Sequence, residues 1–329
     1  PHHRPKPEVI AAMVARARST APDDELERHL AAGIQVVVLG QAGYPERLAQ
    51  DPAPPAVLFA RGSSGLLSGP TVAIVGTRNA TRVGRDFATG LGAELAAAGV
   101  AVVSGLALGI DAAAHRGALH AGRETGACAP VAVIASGLDI AYPRRHVELH
   151  QEIASTGLLL SEVPLGERPT EWRFPARNRI IAGLGDVTVV VEAAERSGSL
   201  VTAELALELG REVGAVPGTP LSPRSIGTNA LLRDGAVLVR GPEDVLELLA
   251  PGAGQSVLES ALVTARARSE RLPRALEVLL CDIETGIDRI DVLAARHGGA
   301  GAVQALLTDL ELRGRVRRTE NGRVAPASA

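Results

Sequence analysis

The strongest constraint on the fold is an alternation of short aliphatic runs and helix-length stretches that begins at residue 71. The runs, such as residues 72–75, 131–135 and 187–191, are rich in valine and bounded by glycine or proline, which is typical of strands buried on both faces of a parallel sheet. Helix-length stretches such as residues 83–98 separate them, so the sequence predicts a doubly wound, mostly parallel α/β sheet. Ligands of such sheets bind beyond the carboxyl ends of the strands.

The chain divides into four predicted segments. Residues 1–34 are expected to be a short, helical N-terminal remnant, because the chain begins with Pro1 rather than methionine. Residues 35–250 form the α/β domain, and residues 251–269 have little pattern and are predicted to be a linker. Residues 270–329 contain three helical stretches and then a basic hairpin with an Asn-Gly turn, which is the order of a small winged-helix domain.

The net charge of the chain limits the kinds of surface binding that it can support. The formal net charge is −3, which does not support binding over the whole surface but allows a local basic patch. Lys6 is the only lysine, so phosphate contacts would come from the fork-shaped guanidinium of arginine. Cys128 and Cys281 have no metal-ligand spacing, which predicts neither zinc nor a disulfide and fits a reducing cytoplasm. No apolar run approaches the roughly 20 residues that span a bilayer.

A glycine-bearing loop follows the first strand of the alternating pattern. The segment Gly76-Thr77-Arg78 leads into a helix expected to begin near Thr81, whose free N–H groups would favour an anion beside Arg78. The next glycine is Gly84, so the spacing disfavours a standard dinucleotide site. A plain strand-to-helix turn with a solvated arginine is an equally good interpretation of this loop alone.

The second strand ends in a similar loop. Ser104 and Gly105 begin it, and Gly109 and Asp111 lie where the next helix starts. Two adjacent loops of this kind offer a wider anion-binding surface than one. We expect Asp111 to cap its helix rather than to contact a ligand.

The segment 172–181 combines cations with aromatic rings. Phe174 lies beside Arg177, Asn178 and Arg179, and arginine can neutralise phosphate while an exposed ring stacks on a base of any identity. Residues two apart in a helix point in nearly opposite directions. Arg177 and Arg179 therefore cannot both lie on the apolar face that Ile180, Ile181 and Leu184 are expected to form. A helix with a solvated charged side is the alternative interpretation.

Later loops at the same sheet edge repeat the pattern of glycine with small polar residues. Each precedes or opens a helix, so its hydroxyl and N–H groups suit either a phosphate or an N-cap. The residues of these loops that we expect to contact nucleic acid are Ser197, Gly198, Ser199, Gly218 and Asn229.

Taken in order, these loops resemble the DNA-processing protein A family, also called DprA or Smf. The segments that carry the resemblance are Gly76-Thr77-Arg78, Ser104-Gly105-Leu106-Ala107-Leu108-Gly109-Ile110-Asp111, Ser161-Glu162, Phe174-Pro175-Ala176-Arg177-Asn178-Arg179-Ile180-Ile181, Val191-Glu192-Ala193, Ser197-Gly198-Ser199-Leu200, Pro217-Gly218 and Gly227-Thr228-Asn229. The resemblance implies an extended Rossmann-like fold that binds single-stranded DNA, protects it during natural transformation and loads the recombinase RecA onto it. It also implies a homodimer formed through the Rossmann-like domain, no cofactor and no catalysis. The family's DNA contacts carry over to Arg78, Phe174, Arg177 and Arg179.

An enzymatic alternative remains at this stage. Glu162 and Glu192 follow neighbouring strands and could serve as an acid/base pair in a nucleotide N-glycosidase, although a structural role for both is preferred. The winged-helix domain adds a further alternative of duplex binding or protein contact. Few cations lie in its third helix, residues 301–313, so this helix is not expected to read bases, and a protein-contact or structural role is at least as good an interpretation.

Overall fold

The protein forms two compact units, residues 1–263 and 264–329. The predicted linker, residues 251–269, and the Asn321-Gly322 turn lie outside the described residues. The computed structural model describes residues 7–19, 21–125, 128–249, 274–284, 287–312, 315–318 and 323–326.

The first unit, called here the α/β unit, follows the predicted order of strands and helices. Its strands are β1 (Gln35–Val38), β2 (Val57–Gly62), β3 (Thr71–Val75), β4 (Ala101–Ser104), β5 (Val131–Val133), β6 (Leu158–Ser161), β7 (Val187–Val190), β8 (Glu212–Ala215) and β9 (Val237–Leu238). Its helices are α1 (Pro7–Ser19), α2 (Pro22–Ala31), α3 (Glu46–Ala49), α4 (Arg82–Ala97), α5 (Ile110–Thr125), α6 (Val147–Thr156), α7 (Arg173–Leu184), α8 (Gly198–Glu208), α9 (Ile226–Arg233) and α10 (Pro242–Leu249).

Within the described residues, these nine strands form one sheet in the order β1-β2-β6-β5-β4-β3-β7-β8-β9. The strands from β6 to β9 in that order pair in parallel, and β2 joins β6 and β1 in antiparallel fashion. The chain builds outward from β3 to β6, then α7 crosses back and β7 pairs with the other side of β3. The switch point of this doubly wound sheet therefore lies between β3 and β7, where ligands of such folds bind.

Both faces of the sheet are buried, as the valine-rich runs predicted. Val131 and Val133 belong to a core that includes residues of α7 and α8, whereas Ala132 and Ile134 belong to a core that includes residues of α5 and α6. Successive side chains of a strand point to opposite faces, so a strand covered on both sides is apolar at every position. The helices on either face hold the strand ends, and hence the loops, at one edge.

The N-terminal helix α2 packs into the α/β unit. Its His29 is fully buried and stacks on Phe59 at 4.3 Å between ring centroids. The Nδ1 of His29 lies 2.7 Å from the Glu25 carbonyl, and Nε2 accepts a hydrogen bond of 3.1 Å from the Leu165 N–H. Arg28 also donates to the Leu165 carbonyl at 2.6 Å. Helix α2 thus fixes the loop that leads from β6 to α7.

The C-terminal unit has its own core and the predicted winged-helix order. Its elements are α11 (Arg274–Glu284), α12 (Ile290–Arg296), α13 (Ala300–Leu312), β10 (Val316–Arg318) and β11 (Val324–Pro326). The two strands pair in antiparallel fashion, and Leu279, Leu293 and Leu307 are fully buried. In the described ranges of both units, no helix has the length and apolar character needed to cross a membrane.

His115 in α5 predicts a specific pH dependence of stability. Its ring is fully buried, and burial, followed by the positive charge of Arg177, lowers its pKa from 6.5 to about 3. Because the pKa is lower in the folded state, the folded protein is favoured above pH 6.5 and loses this contribution as the pH falls toward 3. We expect the free energy of unfolding to fall by up to about 1.4 kcal/mol per pH unit in that window.

The measurement is urea unfolding at several pH values for the wild type and for His115→Gln. Other titrating groups are common to both proteins, so the difference between the two curves isolates His115. A difference that stays constant between pH 6.5 and pH 4.5 would contradict the assignment.

Candidate nucleic-acid interface

A groove of about 620 Å³ lies at the carboxyl edge of the sheet, next to the switch point. It is called the central groove here. Eight of the residues predicted from sequence line it: Gly76, Arg78, Phe174, Arg177, Asn178, Ser197, Gly198 and Ser199. Residues from the loop after β3, from α7 and from the start of α8 therefore meet in one concave surface.

The wall of the central groove is a stack of one cation and two rings. The Arg78 guanidinium carbon lies 5.0 Å from the centroid of the Phe174 ring, and the Tyr142 ring lies 5.5 Å from Phe174 at an angle of 40°. Arg78 and Tyr142 are exposed, so the stack is open to solvent. Tyr142 is a site residue that sequence reasoning missed. It is one of only two tyrosines, and it is followed by Pro143 and Arg144 in the loop after β5.

Arg177 lies at the floor of the central groove. Only 7% of its surface is exposed, and its Nη1 donates to the Val133 carbonyl. Burial lowers the pKa of its guanidinium to about 10, while the carboxylate of Asp111 raises this pKa and the charge of Arg78 lowers it. The group is still cationic at neutral pH. Gly105 passes directly beneath the guanidinium, where a Cβ atom would collide with it.

Asp111 is buried close enough to Arg177 for their opposite charges to attract, and it has a structural role as expected, although it does not cap α5. Its Oδ2 accepts hydrogen bonds from the N–H groups of Gly105 at 3.0 Å and Ala107 at 3.3 Å. Burial raises the pKa of this carboxyl, and Arg177 and the two N–H donors lower it. Because a carboxylate of the protein already occupies these N–H groups, the second loop is not the open anion cradle that its sequence suggested.

Gly109 brings the first and second loops together. Its φ of +81° is in the left-handed region, and a Cβ atom there would collide with the carbonyl oxygens of Thr77 and Arg78. The Ile110 N–H donates to the Thr77 carbonyl at 3.3 Å across the same contact. The backbone that carries Arg78 is therefore held by the neighbouring loop, which fixes where the guanidinium leaves the sheet edge.

The anion expected at the start of α4 is supplied by the protein itself. Thr81 is the N-cap, as predicted, and its hydroxyl accepts from the Gly84 N–H at 2.9 Å. The Glu192 carboxylate accepts from the Thr81 N–H at 2.9 Å and from the Thr81 hydroxyl at 2.6 Å. A carboxylate from the loop after β7 thus fills the site that the sequence assigned to a bound phosphate. Residue 192 is far from residue 81 in the chain, so local sequence could not reveal this pairing.

Arg179 does not line the central groove. Its Nη2 donates to Glu162 Oε1 at 2.6 Å, and its Nη1 donates to the Ala53 carbonyl at 2.9 Å. In this structure Arg179 is held by contacts within the protein away from the central groove, and its contact with DNA stays a prediction. Glu162 and Glu192 each hold a partner within the protein, which agrees with the structural role preferred for both, and no observation favours them as an acid/base pair.

Four more predicted site residues are placed away from the open surface of the groove. Ser104 is fully buried and its hydroxyl donates to the Ile74 carbonyl at 2.6 Å. Thr77 N–H donates to the Glu192 carbonyl at 2.7 Å. Gly218 and Asn229 bind each other, with Gly218 N–H donating to Oδ1 at 3.1 Å and Nδ2 donating to the Gly218 carbonyl at 3.0 Å. In this structure these residues shape the loops.

The start of α8 forms the far end of the central groove. Ser197 is its N-cap, with the hydroxyl 3.4 Å from the Ser199 nitrogen and 2.7 Å from the Ser199 hydroxyl. Asn178 in α7 donates to the Gly198 carbonyl at 3.3 Å. The N-terminal, positive end of the α8 dipole therefore lies at the groove. The described residues contain no cluster of histidine, cysteine, aspartate or glutamate able to hold a metal ion.

The fold and the position of the groove define a doubly wound protein of the Rossmann-like class with its ligand site at the switch point. Residues 35–250 match the family model described as DNA recombination-mediator protein A. The chain belongs to this family, which confirms the resemblance drawn from its loops.

Relatives are found in several bacteria. The DNA processing protein DprA of Bacillus subtilis is 43% identical over 230 residues, which are 68% of this chain and 76% of that protein. Protein Smf of Escherichia coli is 38% identical over 285 residues, which are 85% of this chain and 74% of that protein.

Two solved structures have a similar fold. DprA from Streptococcus pneumoniae is 37% identical with a TM-score of 0.64, over 72% of this chain and 81% of that one. DNA processing protein A from Helicobacter pylori, a structure that describes the single-stranded DNA binding mode of that protein, is 32% identical with a TM-score of 0.59, over 67% of this chain and 98% of that one.

Proposed function

We propose that this chain binds single-stranded DNA in the central groove, protects it, and loads RecA recombinase onto it during natural transformation and DNA recombination. The observation that carries the proposal is the stack of Arg78, Phe174 and Tyr142 above the buried Arg177. The proposed activity is non-catalytic. The free thiols of Cys128 and Cys281 are compatible with a reducing cytoplasm.

The geometry favours a single strand because its bases are unstacked and can lie on exposed rings. Base–aromatic stacking is worth about 1–3 kcal/mol per base and tolerates any sequence. Arg78 and Arg177 are close enough for their positive charges to repel, which lowers the pKa of Arg177. A phosphate between them would relieve this repulsion and complete charge-assisted hydrogen bonds. The relative from Helicobacter pylori, whose structure describes single-stranded DNA binding, supports the same assignment.

The test is fluorescence anisotropy with labelled oligothymidine and unlabelled competitors. We expect single strands of different sequence to compete with similar affinity and blunt duplex to compete much more weakly. The logarithm of the affinity should fall linearly with the logarithm of the salt concentration, by about 0.7 for each phosphate contact. Equal competition by duplex and single strand would contradict the proposed mode.

The proposed partners are RecA and a second copy of this chain, and they are inferred from the family and from the exposed edge strand β9. A homodimer through the Rossmann-like domain is supported by β9, an edge strand whose Val237 and Leu238 are 36% and 44% exposed. Light scattering should give the mass of two chains, and a monomer at micromolar concentration would contradict the dimer.

RecA loading predicts that the protein speeds assembly of RecA on single strands already coated by a competing single-strand-binding protein, and unchanged assembly would contradict it.

A further inference from the structure

A second and larger groove lies directly beside the central groove. It has a volume of about 1100 Å³ and is called the lateral groove here. The loop after β5, helix α6 and the loop after β6 enclose it. Its polar lining consists mainly of Arg61, Asp139, Tyr142, Arg144, His150 and Arg168. Tyr142 lines both grooves, so an extended ligand could pass from one to the other around this ring.

Cations dominate the lateral groove although the whole chain is acidic. Arg144 and Arg168 are exposed, and their guanidinium groups form no ion pair with the described residues. Arg61 is half-buried and donates to the Ala32 carbonyl at 2.8 Å. The carboxylate of Asp139 accepts hydrogen bonds from the Gly166 N–H, at 3.0 Å to Oδ1 and 3.1 Å to Oδ2. The arginines therefore outnumber carboxylates here in a protein of net charge −3.

His150 is a buried polar residue in the lining of the lateral groove. Only 6% of its surface is exposed, yet it lines the groove. Its Nε2 is buried and has no hydrogen-bond partner among the described residues. A buried polar atom without a partner costs free energy.

We propose that a single DNA strand leaves the central groove past Tyr142 and continues through the lateral groove, with its phosphates at Arg61 and Arg168. This inference rests on the proposed function, because it assigns the path of the same strand. The size and openness of the groove favour a polymer over a small molecule, since small-ligand sites of roughly 300–1,000 Å³ enclose most of their ligand. A consequence is that affinity rises again once the strand is long enough to fill both grooves.

The test compares oligothymidines of increasing length on the wild type and on Arg61→Ala/Arg168→Ala. The shortest strands that bind should bind both proteins equally, because they occupy only the central groove. Longer strands should bind the variant at least tenfold more weakly, and the slope of log affinity against log salt should become about 1.4 shallower, for two lost phosphate contacts. Arg233→Ala is the matched control, because Arg233 is 77% exposed at the end of α9 and pairs only with the adjacent Asp234.

A second pair of variants keeps every arginine. Ser155 is exposed in α6 and lines the lateral groove, so Ser155→Glu should repel a strand there while Ser155→Gln should not. If the wild type binds no single-stranded DNA, the proposed function itself fails. If the wild type binds, but Arg61→Ala/Arg168→Ala and Ser155→Glu keep its length dependence and salt slope, the path through the lateral groove is overturned and the central groove stands.

Discussion

Replacing Arg78 with alanine should weaken the binding of oligothymidine by about 10- to 100-fold at moderate salt. The side chain contributes a charge-assisted contact to phosphate and covers one face of Phe174 at 5.0 Å. Losing both effects corresponds to about 1–3 kcal/mol, the range measured for stacking and charged contacts in single-strand binding sites. Fluorescence anisotropy across a salt series checks this, and the salt slope should be about 0.7 shallower than that of the wild type.

Two controls separate charge from geometry. Arg78→Lys keeps the positive charge but loses the planar fork, so it should recover the salt slope and only part of the affinity. Arg233→Ala removes the same charge from a distant, exposed position and should bind like the wild type. Unchanged affinity of Arg78→Ala for oligothymidine would contradict the assignment of Arg78 to the DNA-binding site.

Replacing Asp111 with alanine should lower the free energy of unfolding by about 3–5 kcal/mol, because it leaves the buried Arg177 without its counter-charge. The N–H groups of Gly105 and Ala107 would also lose the acceptor that lies at 3.0 and 3.3 Å. This loss is measured by urea unfolding of the whole chain, with circular dichroism as the signal. The expected effect is large because both charged groups are almost fully buried.

The double variant Asp111→Leu/Arg177→Met distinguishes stability from binding. The double variant has no uncompensated buried charge, so it should recover part of the stability that Asp111→Ala loses. The N–H groups of Gly105 and Ala107 still lack their acceptor, so it should unfold between Asp111→Ala and the wild type in urea. It should nevertheless bind oligothymidine more weakly, since the floor of the groove has lost its cation. Asp111→Ala with wild-type stability would show that the pair contributes nothing to the fold.

The sheet and the location of the site were predictable because they depend on short-range patterns. Buried strands are apolar at every position, and glycine-bearing loops follow them, so the runs at 72–75 and 187–191 could be assigned as strands and their carboxyl ends as the ligand edge. The grouping of Arg78, Phe174 and Arg177 followed from that edge, and the structure brings them together.

The electrostatic partners were not predictable in the same way. Glu192 occupies the start of α4 and Arg179 turns to Glu162, and both contacts depend on where two distant segments meet in space. The sequence shows that a loop has N–H donors, but it does not show whether an internal carboxylate already uses them. Tyr142 was missed for the related reason that it comes from a long loop after β5, whose path depends on packing and not on periodicity.

The different exposure of the two central arginines separates the kinetics of binding into two stages. Arg78 stands in solvent, where its field extends toward an approaching strand and should set the rate of association, which falls as salt rises. Arg177 lies at the floor beside Asp111 and meets a phosphate only after water has left, so it should govern the lifetime of the complex. A strand would then be captured quickly at the rim and retained according to how deeply it settles, which fits the proposed loading of a recombinase onto the bound strand.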